Sequence, residues 1–169
     1  DGTLWAWGSN DTGQLGDGTT ADKNTPTQIG SATNWSAIAG DGHTVALRSD
    51  GTLWAWGYND QGQLGDGTNT DRNTPTQEAT GSTNWTAIAA GSNHTVGLKS
   101  DGTLWAWGNN NEGELGDGTS TSRSTPTQIG SATDWYAIAA KTATVALKSP
   151  DTLTATKTAD TNDGTCDGD

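Results

Sequence analysis

The feature that most constrains this chain is a sequence of about fifty residues that occurs three times in tandem. A repeat of this kind sets the architecture of the whole chain, so it is assigned before any single element. One octapeptide, Asp-Gly-Thr-Leu-Trp-Ala-Trp-Gly, occurs unchanged at 1–8, 50–57 and 101–108. The motif Gly-Gln-Leu-Gly-Asp-Gly-Thr follows at 13–19, at 62–68 and, with Glu in place of Gln, at 113–119. Repeat boundaries therefore fall at 1–49, 50–100 and 101–149, and 150–169 form a linker or the start of a following segment.

Within each repeat the local pattern predicts short β-strands. Thr44–Arg48 and Thr52–Trp56 are runs of alternating apolar residues, separated by Ser49-Asp50-Gly51. Asp-Gly between two such runs indicates a tight hairpin, because glycine accepts the positive φ that these turns require. No window carries a helical apolar period with capping residues. Three to four short strands per repeat are typical of a β-propeller blade or of a turn of a β-solenoid.

Composition excludes several classes of partner. The chain carries 8 Lys and Arg against 20 Asp and Glu, a formal charge of −12, and its basic residues are scattered. Nucleic acid and anionic membrane surfaces are therefore not expected as partners. No stretch approaches the roughly 18 apolar residues of a membrane helix, so membrane insertion is not expected either. The chain lacks an initiator Met and begins inside its own motif, which predicts a piece of a longer protein.

The repeats resemble the regulator of chromosome condensation repeat family. The residues that carry the resemblance are Gly40-Asp-Gly-His43-Thr-Val-Ala-Leu47, then Trp56-Gly-Tyr-Asn59, then Gly62-Gln-Leu-Gly65. The resemblance implies an all-β fold of four-stranded blades in a seven-bladed propeller, of which this chain supplies three tandem blades and is therefore incomplete. The remaining blades are expected from the parent chain or from self-association. The third repeat has Ala143 where His43 and His94 stand, which indicates the last unit of an array.

The tail suggests a cellular location. Residues 154–167 resemble the start of the bacterial C-S-L-R-E-A motif segment, which implies a secreted or cell-surface bacterial parent and a partner for Cys166 beyond the chain's end. The alternative is a disordered acidic tail. A calcium loop is not predicted, because neither Gly164 nor Gly168 can stand at the sixth position of an EF-hand with the required ligands before it.

Three sets of residues could carry chemistry, and each has a structural interpretation that we favour. His43 and His94 occupy equivalent points of successive repeats, which indicates structural bonding to the backbone of a neighbouring blade rather than a metal pair or an acid–base group. The aspartates Asp17, Asp66 and Asp117 recur in every repeat, which favours turn chemistry over a catalytic pair. The paired tryptophans at 5/7, 54/56 and 105/107 are interpreted as core between blades, with an aromatic sugar platform as the alternative. No catalytic, cofactor-binding or metal-binding residue is predicted, and the chain is not expected to be an enzyme.

A binding surface should lie where the copies differ. The copies differ after the Trp-Gly dipeptide and again before the Thr-Pro-Thr-Gln run, in segments expected to be loops, where function commonly resides. Neutral drift explains the variation equally well. The candidate interaction residues are Asn10, Asp11, Lys23, Tyr58, Asn59, Asp60, Arg72, Asn110, Asn111, Glu112 and Arg123.

The function expected from these features is protein binding, by a propeller segment of a large bacterial secreted or cell-surface protein whose partner is unidentified. The alternatives are carbohydrate binding through exposed tryptophans, enzyme inhibition, as the resemblance to bacterial propellers allows, and guanine-nucleotide exchange, as in the family's eukaryotic founder. The acidity of the chain and its bacterial-type tail weigh against nucleotide exchange.

Overall fold

The computed structural model describes residues 1–150, so the predictions for Cys166 and for the motif at 154–167 lie outside the described residues. Within them the only regular elements are β-strands, which confirms the all-β prediction. The twelve strands are β1 Trp5–Gly8, β2 Lys23–Gln28, β3 Trp35–Gly40, β4 His43–Arg48, β5 Leu53–Gly57, β6 Arg72–Gln77, β7 Trp85–Ala90, β8 His94–Lys99, β9 Leu104–Gly108, β10 Arg123–Gln128, β11 Trp135–Ala140 and β12 Thr144–Lys148.

The strands form two complete blades flanked by two half blades. The first complete blade has the strand order β3-β4-β5-β6, and the second has β7-β8-β9-β10. The N-terminal half blade is β1-β2, and the C-terminal half blade is β11-β12. All neighbours within these sheets pair antiparallel. The prediction of three four-stranded blades therefore needs correction: twelve strands are present, but four of them belong to half blades.

The blades and the sequence repeats are out of phase along the chain. The Asp-Gly turn at the boundary between the first two repeats joins β4 to β5, which pair in the middle of one blade with Leu47 opposite Leu53. Each repeat thus supplies the third and fourth strands of one blade and the first and second strands of the next. In these terms β1-β2 are the two outer strands of a blade, and β11-β12 are the two inner strands of another.

The turn at the repeat boundary is built from local hydrogen bonds. Asp50 Oδ1 accepts from the Thr52 backbone N at 3.0 Å and from the Thr52 hydroxyl at 2.6 Å. The same hydroxyl accepts from Trp54 Nε1 at 2.9 Å, so the turn also positions the first tryptophan of the strand. Gly51 has φ 77°, and a Cβ there would collide with the Thr83 carbonyl. Glycine is therefore required at this position.

Packing between blades forms the core. The first strands of successive blades lie side by side, since β7 contacts both β3 and β11, as the inner strands of a propeller do. One apolar cluster joins the first complete blade to the second through Val45, Leu47, Leu53, Ala55, Leu64, Trp85 and Trp107. Another apolar cluster joins the second complete blade to β11 and β12. It consists of Val96, Leu98, Leu104, Ala106 and Leu115, and Trp135 and Ile138 pack against it.

Tryptophans hold a cation on the face of each complete blade. The guanidinium carbon of Arg48 lies 4.5 Å from the Trp35 ring and 3.9 Å from the Trp54 ring. The Lys99 ammonium lies 4.6 Å from the Trp85 ring and 3.8 Å from the Trp105 ring. Such contacts stabilise by about 0.5–2 kcal/mol, more as water is excluded. Trp56 and Trp107 are fully buried, so the prediction that the paired tryptophans form core is confirmed for the complete blades.

Candidate interaction loops

Three long loops connect the third strand of each blade to the fourth, at 9–22, 58–71 and 109–122. Neighbouring blades link them. The Gly18 backbone N donates to the Asn73 carbonyl at 2.8 Å, and the Gly67 backbone N donates to the Ser124 carbonyl at 2.9 Å. The first two loops are thus each tied to the start of the fourth strand of the following blade. We call the continuous surface formed by the three loops the loop face.

A buried asparagine holds each loop together. Asn59 Nδ2 donates to the Thr68 carbonyl at 3.1 Å and to the Thr70 carbonyl at 3.0 Å. Its Oδ1 accepts from the Leu64 backbone N at 2.9 Å. One buried side chain therefore bonds to backbone groups from three parts of the loop.

The same bonds occur around Asn10 and Asn110, and all three asparagines are 0% exposed. Among the predicted interaction residues, the side chains of Asn10, Asn59 and Asn110 are thus enclosed by their own loops and do not reach the surface. Their identity in all three copies was a usable signal, since an asparagine that never varies between repeats fits a structural role better than a partner-specific one.

The basic residues among the candidates are occupied by aspartates. Salt bridges join Lys23 to Asp17 at 3.0 Å, Arg72 to Asp66 at 2.7 Å, and Arg123 to Asp117 at 2.9 Å. Each cation is roughly one third exposed, so these contacts stabilise modestly. They leave the loops with anchored rather than free positive charges.

The aspartates act as turn acceptors, as the sequence predicted. Asp66 Oδ1 accepts from the Thr68 backbone N at 2.9 Å and from the Thr68 hydroxyl at 2.7 Å. Burial alone would raise the pKa of Asp17, but hydrogen bonds from Thr19 and Lys23 outweigh it and lower that pKa to about 2. The hydrogen bonds of Asp17 therefore stabilise the fold above pH 3.8, and their contribution is lost as the pH falls toward 2.

The remaining candidates face solvent. Asp11, Asp60, Asn111 and Glu112 are exposed. Tyr58 is half-buried, and its hydroxyl donates to Asp60 Oδ2 at 3.0 Å. These are the positions at which the three loops differ in charge and size while sharing one backbone framework.

Side chains of the neighbouring blade also donate hydrogen bonds to backbone carbonyls of the loops, which the sequence pattern did not predict. The Gln63 carbonyl accepts from the Thr95 hydroxyl at 2.8 Å and from Trp107 Nε1 at 3.0 Å, both donated by the next blade. The Gln14 carbonyl receives the equivalent bonds from Thr44 and Trp56. These long-range bonds make the loop face a rigid surface.

The two histidines extend this fastening between blades. His43 Nε2 lies 2.8 Å from the Thr95 hydroxyl, which already donates to the Gln63 carbonyl, so His43 Nε2 carries the proton and donates to Thr95. His94 makes the equivalent contact with Thr144 at 2.9 Å. The histidines are therefore structural links between blades, as predicted, but each bonds a threonine hydroxyl of the next blade and not its backbone. No group of three or more His, Cys, Asp or Glu side chains that could hold a metal ion occurs within residues 1–150.

The link has a pH dependence. His43 is fully buried, and its Nδ1 has no hydrogen-bond partner among the described residues. A second proton there would be buried without an acceptor, so burial, with the neighbouring His94, lowers the pKa of His43 to about 4. The unfolded chain takes up this proton near pH 6.5, where the folded chain does not.

We therefore expect the free energy of unfolding to be highest above pH 6.5 and to fall by about 3 kcal/mol as the pH drops toward 4. Urea titrations at a series of pH values measure this directly. His43→Gln is the control, because its amide can still donate to Thr95 but does not titrate. A pH dependence that is equally steep in the His43→Gln variant would contradict the assignment.

A family model described as the regulator of chromosome condensation (RCC1) repeat matches residues 1–47, 50–98 and 101–140. A second model of the same description matches residues 85–114. A search of curated proteins found no match. No helix within residues 1–150 is long and apolar enough to cross a membrane.

Solved structures share the fold. Prp20p from Saccharomyces cerevisiae matches 88% of this chain with TM-score 0.74 and 23% identity. Its structure is reported together with its binding to Gsp1p and histones. Human WBSCR16 matches over the same share with TM-score 0.75 and 25% identity. Yeast RCC1 (Prp20) bound to Kap60 matches, again over 88%, with TM-score 0.76 and 23% identity. The chain spans 39–40% of the length of these proteins, and the propeller fold predicted for an incomplete set of blades is confirmed.

Proposed function

Because this chain belongs to the regulator of chromosome condensation repeat family, we propose that it is a protein-binding segment of a β-propeller and that its partner docks on the loop face. The observation that carries the proposal is a row of three variable loops on one framework of buried asparagines and inter-blade hydrogen bonds. Rigid scaffolds with variable loops suit recognition, because little conformational freedom is lost on binding.

The charge of the loop face indicates the chemistry of the partner. Each of the three loops contains three acidic residues and no Lys or Arg. In each loop one of the three is the aspartate that a following cation neutralises. The uncompensated carboxylates are those of Asp11, Asp22, Asp60, Asp71, Glu112 and Glu114. A partner that presents a basic surface would be attracted by them, and charge complementarity of this kind speeds association and selects partners.

The solved structures of this fold support the class of partner. Prp20p is reported to bind Gsp1p and histones, and yeast RCC1 is reported in a complex with Kap60, so these partners are proteins. Enzyme inhibition is one form that binding to a protein could take. Carbohydrate binding receives less support, because the complete blades use their tryptophans for packing and for holding cations.

The test compares two variants of equal charge. One neutralises the loop face through Asp11→Asn, Asp60→Asn and Glu112→Gln. The other adds three positive charges at the opposite ends of the strands through Thr33→Lys, Thr83→Lys and Thr133→Lys, at exposed and equivalent positions of the three repeats. Proteins captured by the 169-residue chain from an extract of its source are identified, purified and titrated against both variants.

We expect affinity for the captured partner to fall by about tenfold in the loop-face variant and by less than about twofold in the opposite-end variant. Equal losses in the two variants would show a long-range charge effect without docking at the loops. Capture of no protein, or capture that the loop-face variant leaves unchanged, would contradict the proposal.

We further propose that the protein containing this segment is secreted by, or displayed on, a bacterial cell. The support is the resemblance of residues 154–167 to the bacterial segment described above. Fractionation of producing cells checks it: the protein should appear outside the cytoplasm, and recovery in the cytoplasm alone would contradict the proposal.

A further inference from the structure

The segments that connect the fourth strand of one blade to the first strand of the next differ at one buried position. These connectors span 29–34, 78–84 and 129–134. The first residue of each donates its backbone N–H to the leucine carbonyl of an octapeptide: Ile29 to Leu4, Glu78 to Leu53 and Ile129 to Leu104. The three positions are therefore equivalent, and Glu78, which is 3% exposed, places a carboxylate where the other connectors have isoleucine.

In the second complete blade the Glu78 carboxylate lies in a site built by the chain itself. Its Oε1 accepts from Trp85 Nε1 at 3.3 Å and from the Ser82 backbone N at 3.0 Å. The Lys99 ammonium, which contacts the Trp85 and Trp105 rings, donates to the Ser82 hydroxyl at 2.9 Å. Burial lowers the pKa of Lys99, and the negative charge of Glu78 opposes that shift. The blade therefore holds an indole N–H, a cation and a carboxylate together.

The C-terminal half blade also gives its cation a carboxylate. Lys148, the counterpart of Lys99, lies 3.4 Å from Asp134 Oδ1. In the first connector Asn34 stands at the position of Asp134, and 29–34 contain no acidic residue. The cation of the first complete blade, Arg48, therefore receives no carboxylate from its connector.

The first complete blade has the donors of this site without an acceptor. Trp35 Nε1, the counterpart of Trp85 Nε1, is shielded from water and has no hydrogen-bond partner within residues 1–150. Arg48 Nε, held against the Trp35 and Trp54 rings, is in the same state. No carboxylate in the described part of the chain forms a salt bridge with Arg48. Buried donors are costly to leave without a partner, so these two indicate a site for an acceptor.

An open pocket of about 460 Å³ lies beside these donors. Ile29, Trp35 and Arg48 line it, together with residues of the loop 9–22 and of β6. None of its lining residues belongs to β1, β11 or β12, so the pocket does not depend on the inner edges of the half blades. Asp17, the one acidic residue among the described residues that line it, is engaged by Lys23 at 3.0 Å. The guanidinium of Arg48 is thus the uncompensated charge of the pocket.

We propose that this pocket, which we call the Arg48 pocket, binds a carboxylate on a short aliphatic stem, and that this carboxylate does for the first complete blade what Glu78 does for the second. The outer nitrogens of Arg48 donate to both carboxylate oxygens, a pairing that the planar guanidinium matches. The two indoles fix the guanidinium in place, so little side-chain freedom is lost on binding. Ile29 and Pro75 give the stem an apolar lining.

The Arg48 pocket is independent of the loop face. Trp35 begins β3 and Arg48 ends β4, at the strand ends opposite those that the three loops connect. The loop face attracts a basic surface, whereas the Arg48 pocket takes an acid group. That group belongs either to a glutamate side chain of a protein or to a free carboxylic acid.

Side-chain N–H signals in ¹H–¹⁵N nuclear magnetic resonance spectra test the pocket, because Arg48 Nε and Trp35 Nε1 each give a signal of their own. The 169-residue chain is titrated at constant ionic strength with sodium acetate, which represents a free acid, and with a capped Gly-Glu-Gly peptide, which represents a protein side chain. A capped Gly-Gln-Gly peptide is the uncharged control. At least one of the carboxylates should move both signals to saturation, and the glutamine peptide should bind at least about tenfold more weakly. Tighter binding of the glutamate peptide than of acetate assigns the carboxylate to a protein, and the reverse order assigns it to a free acid.

Two variants locate the carboxylate. Arg48→Gln removes the cation and should abolish saturable binding. Ile29→Glu supplies a carboxylate from the connector, as Glu78 does, so it should move the Trp35 Nε1 signal without ligand and weaken binding by at least about tenfold. Lys141→Gln is the control matched in charge, because Lys141 is exposed and lies in another blade, and it should leave binding within about twofold.

Signals that neither carboxylate moves, or that the glutamine peptide moves equally, would overturn the proposal. Saturable binding that persists in Arg48→Gln, or that is unchanged in Ile29→Glu, would place the ligand outside the Arg48 pocket and would overturn it as well.

Discussion

The Trp107→Ala variant should lose about 3–5 kcal/mol of unfolding free energy, which is the usual cost of removing a buried tryptophan. Trp107 is 0% exposed and packs in the cluster that joins the two complete blades. Its indole also donates to the Gln63 carbonyl, so the substitution creates a cavity and removes a bond that fastens the loop face. Urea titration followed by circular dichroism measures the loss.

Trp7→Ala is the matched control, because Trp7 has the same sequence neighbours and the same place in its repeat. Because the Trp7 side chain is 59% exposed, its replacement should change the unfolding free energy by less than about 0.5–1 kcal/mol. Equal losses at the two positions would mean that the N-terminal half blade is packed as fully as the complete ones, contrary to the structure.

The Asn59→Ala variant should lose about 2–5 kcal/mol of unfolding free energy, because it removes a buried side chain, breaks its hydrogen bonds to the loop backbone and leaves the buried Leu64 N–H without a partner. The Thr68 and Thr70 carbonyls and the Leu64 backbone N all bond to Asn59. Each unsatisfied buried group costs about 1–3 kcal/mol. Thermal unfolding and urea titration measure the loss.

Asn69→Ala provides the comparison within the same loop. Asn69 is exposed, and its amide makes a single bond, to the Asp60 carbonyl at 2.8 Å. Its removal should cost less than about 1 kcal/mol. If Asn59→Ala were as mild as Asn69→Ala, the asparagine would not be what holds the loop.

Local features of the fold were predictable from the sequence. The strands, the Asp-Gly turns and the tryptophan core follow from patterns within a few residues, and the structure has them. The glycine at 51 illustrates this, because the turn's positive φ selects the residue locally.

The position of the blades along the chain was not predictable in the same way. A repeat gives the length of the structural unit but not the point at which one sheet ends and the next begins. That point depends on β4 pairing with β5 across the boundary at 49/50, which is a pairing between repeats. The sequence boundaries therefore describe the repeat, and the blades are displaced from them by half a unit.

The sequence predicted which loops carry the candidate site but not which of their side chains face inward. Asn59 stands between Tyr58 and Asp60 in a variable segment, so it was grouped with them, although its amide faces inward to satisfy the loop carbonyls. The octapeptide alone could not distinguish Trp5 and Trp7 from the less exposed tryptophans of the other two copies, since the three octapeptides are identical. Burial at these positions is decided by the neighbouring strands.

The blades cross the repeat boundaries, so that β1 pairs only with β2 whereas β5 and β9 pair on both sides. Hydrogen exchange by nuclear magnetic resonance on the 169-residue chain tests this arrangement most directly. The three Leu-Trp-Ala-Trp segments are identical in sequence, so differences in their amide exchange report their surroundings alone. β5 and β9, paired on both sides, should be protected along their whole length, whereas β1, paired only with β2, should exchange fast at the amides facing its open edge. Equal protection of the three segments, as closed units at 1–49, 50–100 and 101–149 would give, would contradict it.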